Sequence, residues 1–183
     1  IVGRIAMALG FTGAMTSYTY PENGIDALAS ATPLAVEETA QNAGSYVTLL
    51  LGNHGGVLGE TCAITLLIGG IYLIWTKVIS PTIPVTYLAT VAVFSLLCGY
   101  DPIYQLLSGG LILGAFFMAT DYVTSPTTEK GKLVFGIGLG VITCLIRFFG
   151  TMNEGVSFAI LLMNLLVPYI EVLTRQDLLG RSE

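Results

Sequence analysis

Long apolar runs, separated by short polar or glycine- and proline-containing connections, restrict how this chain can fold more than any other feature. Five such runs follow one another at residues 60–75, 85–98, 103–120, 133–149 and 155–173, and residues 1–15 form part of a sixth. Only 10% of the residues are charged, whereas a soluble domain carries about 25%. The sequence therefore predicts an all-α integral membrane protein, a polytopic helical bundle with five full spans and one partial span.

Several of the predicted spans are short, and one of them is rich in glycine. The run at 85–98 is shorter than the roughly 20 residues that cross a hydrocarbon core of about 30 Å. Gly136, Gly138 and Gly140 fall within the run at 133–149. Small residues let helices approach closely, and short or broken helices often line a site inside the membrane. We therefore expect closely packed helices around such a site.

The beginning of the chain bears on its domain organisation. The sequence starts at Ile1, inside an apolar run and without a charged segment before it. A secretory signal peptide would have a charged segment there, followed by a small-residue cleavage site. We therefore expect residues 1–183 to form a single membrane domain, a fragment whose N-terminal part lies upstream.

Residues 17–58 form the longest polar stretch and contain no Lys or Arg. If the spans alternate in direction, five of the seven basic residues lie on the opposite side of the membrane, namely Lys77, Lys130, Lys132, Arg175 and Arg181. Loops rich in Lys and Arg remain in the cytoplasm. We therefore predict that residues 17–58 are an extracytoplasmic loop. Arg147, near the outer end of its run, is the exception to this pattern.

Charge and cysteine spacing argue against several functional classes. The net charge of −5 and the pI near 4.7 disfavour binding to nucleic acid. Cys62, Cys98 and Cys144 lie far apart and form no CxxC pair, so no metal site is predicted. No Ser/His/Asp or Cys/His arrangement stands out, and we predict no catalytic residue in this chain.

Thr32, directly before Pro33, is the most informative hydroxyl residue in the polar loop. A hydroxyl N-cap followed by proline at the first helical position is typical of a helix start. We expect an amphipathic helix over residues 34–51, lying at the membrane interface. In the simplest interpretation Thr32 only caps that helix. The same helix start would also favour a phosphate group, through its free N–H groups and its dipole.

Four stretches together resemble one family of membrane redox subunits. Residues 26–32 read DALASAT, with an acid six positions before the threonine of an Ala-Thr pair, which resembles a flavinylation motif. The others are GET at 59–61, ATDYVTSPTT at 119–128 and EGVSFAILLMN at 154–164. In combination they are similar to the family that contains the D-subunit of the Rnf complex, the ion-translocating ferredoxin:NAD oxidoreductase, and the B-subunit of the sodium-pumping NADH:quinone reductase.

The resemblance implies a covalent flavin. In that family a flavin transferase joins FMN to the threonine oxygen through a phosphodiester bond, and the matching residue here is Thr32. Asp26, Ser30 and Ala31 would belong to the signal that the transferase recognises. Ser30 stands where the family usually has glycine, so a small residue is retained. The family also implies a second, non-covalent flavin, riboflavin.

The resemblance also implies a setting for the chain. It implies an inverted-repeat fold similar to urea transporters, of which residues 1–183 would be the C-terminal part. The expected partners are the other Rnf subunits, including a second flavinylated subunit and iron–sulfur subunits, together with the lipid bilayer and Na⁺ or H⁺. The expected location is the inner (plasma) membrane of a bacterial or archaeal cell.

Three acids near the predicted outer face are candidates for a cation pathway, namely Glu60, Asp101 and Glu154. Ionisable residues at membrane depth often mark such pathways, although acids at a membrane edge are also ordinary. Two other functions remain open for the whole chain. It could be a channel-type subunit, or a structural membrane subunit that carries no redox cofactor of its own.

Overall fold

The computed structural model describes residues 2–11, 50, 62–108, 110–149 and 155–174, and the helices are numbered in their order along these residues. They are α1 (Val2–Gly10), α2 (Ala63–Trp75), α3 (Thr82–Leu97), α4 (Pro102–Leu107), α5 (Leu111–Leu113), α6 (Glu129–Phe149) and α7 (Gly155–Thr174), and α5 continues into a π-helical turn at Gly114–Met118. These residues form no β-strand. The prediction of an all-helical chain is confirmed for this part of the protein.

Two of the described helices are long and apolar enough to cross a membrane. These are α6, with 21 residues, and α7, with 20. The apolar helices α2 and α3 have 13 and 16 residues, which at 1.5 Å per residue correspond to about 20 and 24 Å. Both are shorter than a hydrocarbon core of about 30 Å. Length and composition therefore support a membrane-integral bundle that combines two full spans with shorter helices.

Two helices begin earlier than their apolar runs indicated. α3 starts at Thr82, so Pro84 lies in its first turn rather than in the preceding connection. Proline is tolerated there because the first N–H groups of a helix have no acceptor within the helix. α6 starts at Glu129, where Glu129 and Lys132 form an ion pair of 2.7 Å one turn apart. These first turns extend the two helices towards the chain's N-terminus beyond the predicted apolar runs.

The prediction of one continuous span at residues 103–120 is wrong, because this span is broken. α4 ends at Leu107, and the helix resumes at Leu111 after a turn. Gly110 has φ of +65°, a left-handed conformation that glycine adopts without steric cost. The resumed helix then passes through the π-helical turn, a geometry that is frequent at functional sites. The sequence signal for the break was Ser-Gly-Gly at 108–110.

Glycines of α6 bring this helix into close contact with α3. A Cβ atom on Gly136 would lie 1.9 Å from Thr86 Oγ1, and one on Gly140 would lie 2.5 Å from Thr90 Cβ. Only a residue without a side chain fits at such distances. The buried core lies beside this contact and contains Tyr87, Phe135, Val91 and Leu139. The predicted close packing of the glycine-rich helix is confirmed.

Hydrogen bonds between connections define one end of the bundle. The Tyr122 hydroxyl donates to the Val78 carbonyl, and Thr127 donates through its N–H and its hydroxyl to Glu171 Oε1, both at 3.0 Å. The α2–α3 connection, residues 119–128 and the end of α7 therefore meet there. Lys77, Lys130 and Lys132 all belong to segments at this end, which we call the lysine end.

Aromatic stacking marks the opposite end of the bundle. The rings of Tyr100 and Phe148 stack with centroids 4.5 Å apart, which joins the turn after α3 to the last turn of α6. Phe94 stacks on the same Phe148 ring at 6.1 Å. This aromatic end contains Asp101 and the start of α4. Which end faces the cytoplasm stays a prediction.

A matched pair of substitutions in α6 tests the close contact with α3. Gly140→Ala should destabilise the protein by about 1–3 kcal/mol, because the new methyl group overlaps the branched Cβ of Thr90, which no rotamer change can move. Gly138→Ala meets the end of the flexible Met163 side chain instead, and should be tolerated. Thermal unfolding of the two variants in detergent measures the difference. Equal unfolding temperatures would contradict the packing described here.

Candidate functional site

Most of the residues that the sequence singled out lie outside the described part of the chain. This holds for Thr32 and the motif residues Asp26, Ser30 and Ala31, for the candidate pathway acids Glu60 and Glu154, and for the loop at 17–58 with its predicted helix at 34–51, apart from residue 50. Their roles remain predictions. Asp101 is the one candidate that the structure describes.

Asp101 caps the short helix α4 that precedes the break. Its Oδ1 accepts a hydrogen bond of 3.0 Å from the Ile103 N–H, and Pro102 occupies the first helical position. A carboxylate at a helix N-terminus satisfies a free N–H group and interacts favourably with the helix dipole. Asp101 therefore has a structural role, and its predicted part in cation passage is untested.

Arg147 holds the opposite end of the same short helix. From the last turn of α6, its Nη1 donates to the Gln105 carbonyl at 2.8 Å and lies 3.4 Å from Gln105 Oε1. Its Nη2 donates to the Ser108 carbonyl at 3.0 Å. A cation at a helix C-terminus is favoured by the dipole. α4 is thus bracketed by an acid at its start and a guanidinium at its end.

The broken backbone explains why this half-buried charged side chain is stabilised where it lies. The last carbonyls of a helix have no donor within it, and the break removes the following turn that would supply N–H groups. In hydrocarbon each unsatisfied backbone group costs several kcal/mol. The guanidinium carries five donors in a rigid fork, so one side chain satisfies carbonyls on both sides of Leu107. The cost of desolvating the charge is offset by these contacts.

Buried polar side chains continue from Arg147 into the bundle. Thr143 lies one turn before Arg147 on α6, and its hydroxyl is 2.6 Å from the Tyr87 hydroxyl of α3. Both residues are fully buried. Gln105 is 7% exposed and Ser108 is 1% exposed. The Ser108 hydroxyl has no hydrogen-bond partner among the residues that the structure describes. Together these groups form a polar column from the aromatic end towards the middle of the bundle.

The π-helical turn on the other side of the break is held by close packing. A Cβ on Gly70 of α2 would lie 2.5 Å from the Phe116 ring, and one on Gly114 would lie 2.3 Å from Val156 of α7. The Ala119 N–H donates to the Gly114 carbonyl at 2.8 Å, which closes the wide turn. Glycines in α2 and in the turn itself therefore fix the second half of the broken helix against α2 and α7.

Among the described residues, a partly polar cleft and an apolar groove lie away from the break. A cleft of about 220 Å³ at the lysine end is lined by polar and apolar groups, including Ser80, Tyr122, Thr127 and Lys132. An apolar groove of about 410 Å³ runs along α3 and α6, between Thr86 and Leu97. Across the described residues, no three His, Cys, Asp or Glu side chains converge to hold a metal ion.

In the sequence, Arg147 stands out only as the exception to the placement of Lys and Arg on one side of the membrane. Its role depends on a contact with α4 about 40 positions earlier in the chain, which hydropathy does not encode. Two features of the sequence could have predicted this contact. One apolar run contains a single arginine, and another apolar run contains Ser-Gly-Gly, which favours a helix break. A charge inside one span and a break inside a neighbouring span suggest that one satisfies the other.

The Tyr87–Thr143 contact yields a prediction about stability. Thr143→Val keeps the shape but leaves the buried Tyr87 hydroxyl without its partner, and should destabilise the protein by about 1–3 kcal/mol. Adding Tyr87→Phe should recover most of that loss, since replacing both partners removes the unsatisfied group. Thermal unfolding of the single and double variants measures both effects. A double variant less stable than Thr143→Val would contradict this interpretation.

Comparison with known proteins identifies the family. The sequence model of the NQR2, RnfD, RnfE family matches residues 1–180. The chain is 45% identical to the D-subunit of the Na(+)-translocating ferredoxin:NAD(+) oxidoreductase complex of Acetobacterium woodii, over 98% of this chain and 58% of that protein. It is 40% identical to the D-subunit of the proton-translocating ferredoxin:NAD(+) oxidoreductase complex of Clostridium ljungdahlii, over 95% of this chain and 58% of that protein.

A third relative extends the comparison to another bacterium. The D-subunit of the ion-translocating oxidoreductase complex of Actinobacillus succinogenes is 40% identical, over 93% of this chain and 52% of its own length. The chain thus spans between half and three-fifths of the length of these relatives. The family match nevertheless covers nearly every residue, including the broken helix and Arg147. This chain belongs to the NQR2, RnfD, RnfE family.

Proposed function

We propose that this chain is part of an electron-carrying membrane subunit of an ion-translocating ferredoxin:NAD oxidoreductase complex of the Rnf type. The observation that carries the proposal is 45% identity, over nearly the whole chain, to a D-subunit whose name states that activity. The chain would act within the complex and not alone. Its partners would be the other Rnf subunits, with NAD and iron–sulfur chemistry and a second covalent flavin located in them.

The proposal places a covalent FMN on Thr32. The supporting pattern is the acid Asp26 six residues before Thr32 of the Ala31-Thr32 pair, followed by Pro33 at a predicted helix start. Such a start favours a phosphate through free N–H groups and the dipole. When bound, the flavin supplies one-electron chemistry, while the protein supplies position and potential. A non-covalent riboflavin elsewhere in the whole subunit is part of the same proposal.

The proposed orientation puts the Thr32 loop outside the cytoplasm. Residues 17–58 lack Lys and Arg, whereas Lys77, Lys130 and Lys132 belong to the lysine end, which the positive-inside rule places in the cytoplasm. The chain would then lie in the inner or plasma membrane of a prokaryotic cell. Relatives named for Na⁺ and for protons are similarly close, at 45% and 40% identity, so the proposal covers either cation.

The proposed architecture is an inverted-repeat fold similar to urea transporters. Such folds use short or discontinuous helices whose ends meet inside the membrane. The short helices α2 and α3 and the broken helix from Pro102 to Met118 are of that kind. Their presence supports the proposal that these helices line a path for the cation.

A channel-type subunit without its own cofactor is the second candidate. The same broken helix and the glycine contacts of α6 favour it, because both features also suit a pore. The two candidates differ at Thr32, since a plain channel has no use for a flavinylation motif. The state of Thr32 therefore decides between them.

Intact mass and flavin fluorescence test the assignment. The subunit produced with its complex and a flavin transferase should carry one covalently bound FMN and should fluoresce under UV light after denaturing electrophoresis. Thr32→Ala should abolish the fluorescent band, because it removes the acceptor oxygen. Thr39→Ala, a neighbouring threonine outside the motif, should leave both the fluorescence and the FMN mass increment unchanged.

Three other results would contradict the assignment of FMN to Thr32. A fluorescent Thr32→Ala band, or a wild-type mass without FMN, would exclude the covalent flavin and favour the channel-type function. Loss of fluorescence in Thr39→Ala as well would show that the signal reports folding of the loop instead of the attachment site.

A further inference from the structure

Neutral oxygens are among the groups that hold the Arg147 guanidinium. Three of the acceptors that hold its guanidinium are neutral oxygens, the carbonyls of Gln105 and Ser108 and the side-chain amide oxygen of Gln105, at 2.8, 3.0 and 3.4 Å. They converge at a break in a helix, where two backbone carbonyls point at one charged group. Carbonyl oxygens grouped in this way are the ligands that replace the hydration shell of a monovalent cation.

We propose that the oxygens of Gln105 and Ser108 form a binding site for a monovalent cation, and that Arg147 fills it as a cation tethered to the chain. Carbonyls at the end of a discontinuous helix coordinate Na⁺ or H⁺ in several transporter folds. Arginine cannot be deprotonated in a protein, so the site stays occupied at every pH at which the protein is folded. The tethered charge closes this position to free cations.

A helix cap alone would need fewer groups than the site contains. Capping α4 requires donors to the carbonyls of its last turn. The Gln105 amide adds an acceptor from the side chain, and this residue is 7% exposed. The Ser108 hydroxyl adds a further oxygen on the residue whose carbonyl contacts Nη2, and it is 1% exposed with no partner among the described residues. Two polar side chains beyond the capping requirement are buried beside one positive charge.

The burial of Gln105 and Ser108 determines how the site behaves when the arginine is removed. These residues are 7% and 1% exposed, and without Arg147 their oxygens lose a donor, which is costly for a buried acceptor. A small cation can then regain that energy by binding, which stabilises the folded state by mass action. The truncated site should therefore bind an added cation that fits it. This inference does not depend on the flavin or on the redox function.

Chemical rescue of the assembled complex tests the proposal. Arg147→Ala should lower the thermal unfolding temperature of the subunit within its purified complex. Methylguanidinium should restore at least about half of that loss, as expected for a ligand well above its dissociation constant. Na⁺ should restore part of it, and tetramethylammonium at equal ionic strength should restore none. The wild-type complex should show no stabilisation specific to methylguanidinium, and its own response to Na⁺ is the baseline that is subtracted from the Na⁺ rescue of Arg147→Ala.

Two matched variants separate the site from general effects of charge. Lys132→Ala removes a cation whose partner is the exposed carboxylate of Glu129, and its complex should show no rescue specific to methylguanidinium. Adding Gln105→Leu to Arg147→Ala removes the amide oxygen that lies 3.4 Å from Nη1, and should raise the methylguanidinium concentration required for rescue several-fold, roughly the effect of one weak hydrogen bond.

The outcomes that overturn the proposal are specific. An Arg147→Ala complex that is destabilised but shows no rescue specific to methylguanidinium or Na⁺ reduces Arg147 to a helix cap. Unchanged stability in Arg147→Ala overturns the proposal as well. If Arg147→Ala does not assemble, Arg147→Lys and Arg147→Gln are compared. The lysine variant, which keeps the positive charge, should assemble and be the more stable of the two, and equal loss in both would exclude a cation site.

Discussion

The carbonyl groups at the broken helix impose the constraint on which this structure depends. A helix interrupted inside an apolar bundle leaves backbone oxygens that need donors from outside the helix. The contacts of Arg147 with the Gln105 and Ser108 carbonyls, at 2.8 and 3.0 Å, satisfy two of them with one side chain. Because Arg147 belongs to α6, these contacts also fix the short helix α4 against a full-length span. The break can therefore persist as a defined element and need not collapse into a continuous helix.

The close packing of α6 places the guanidinium at the break. Gly136 and Gly140 let α6 approach α3 to distances that a Cβ would forbid, and the buried Tyr87–Thr143 contact of 2.6 Å fixes the register of the two helices. One turn beyond Thr143, Arg147 then reaches α4. Glycine contacts also hold the π-helical turn against α2 and α7. A polar feature that would otherwise be unstable in the bundle is thus supported by packing on both sides.

The helical membrane class, the glycine packing and the family could all be predicted from the sequence, because each leaves a local signal. Apolar runs mark the helices, small residues mark close contacts, and DALASAT at 26–32 marks the resemblance. The break at 108–110 was not predicted, because the hydropathy of an apolar run is the same whether its helix is continuous or interrupted. The partner of Arg147 was missed for a related reason, since it lies on another helix. Asp101 was predicted as a pathway acid, and only its N-cap geometry revealed a structural role.

An experimental density map of the assembled complex in a lipid environment is the most direct test of this account. The account predicts that the helix is interrupted between Leu107 and Leu111 and that density for the Arg147 side chain ends at the carbonyls of Gln105 and Ser108. A continuous helix from Pro102 to Met118, with Arg147 extended towards the lipid headgroups, would contradict it.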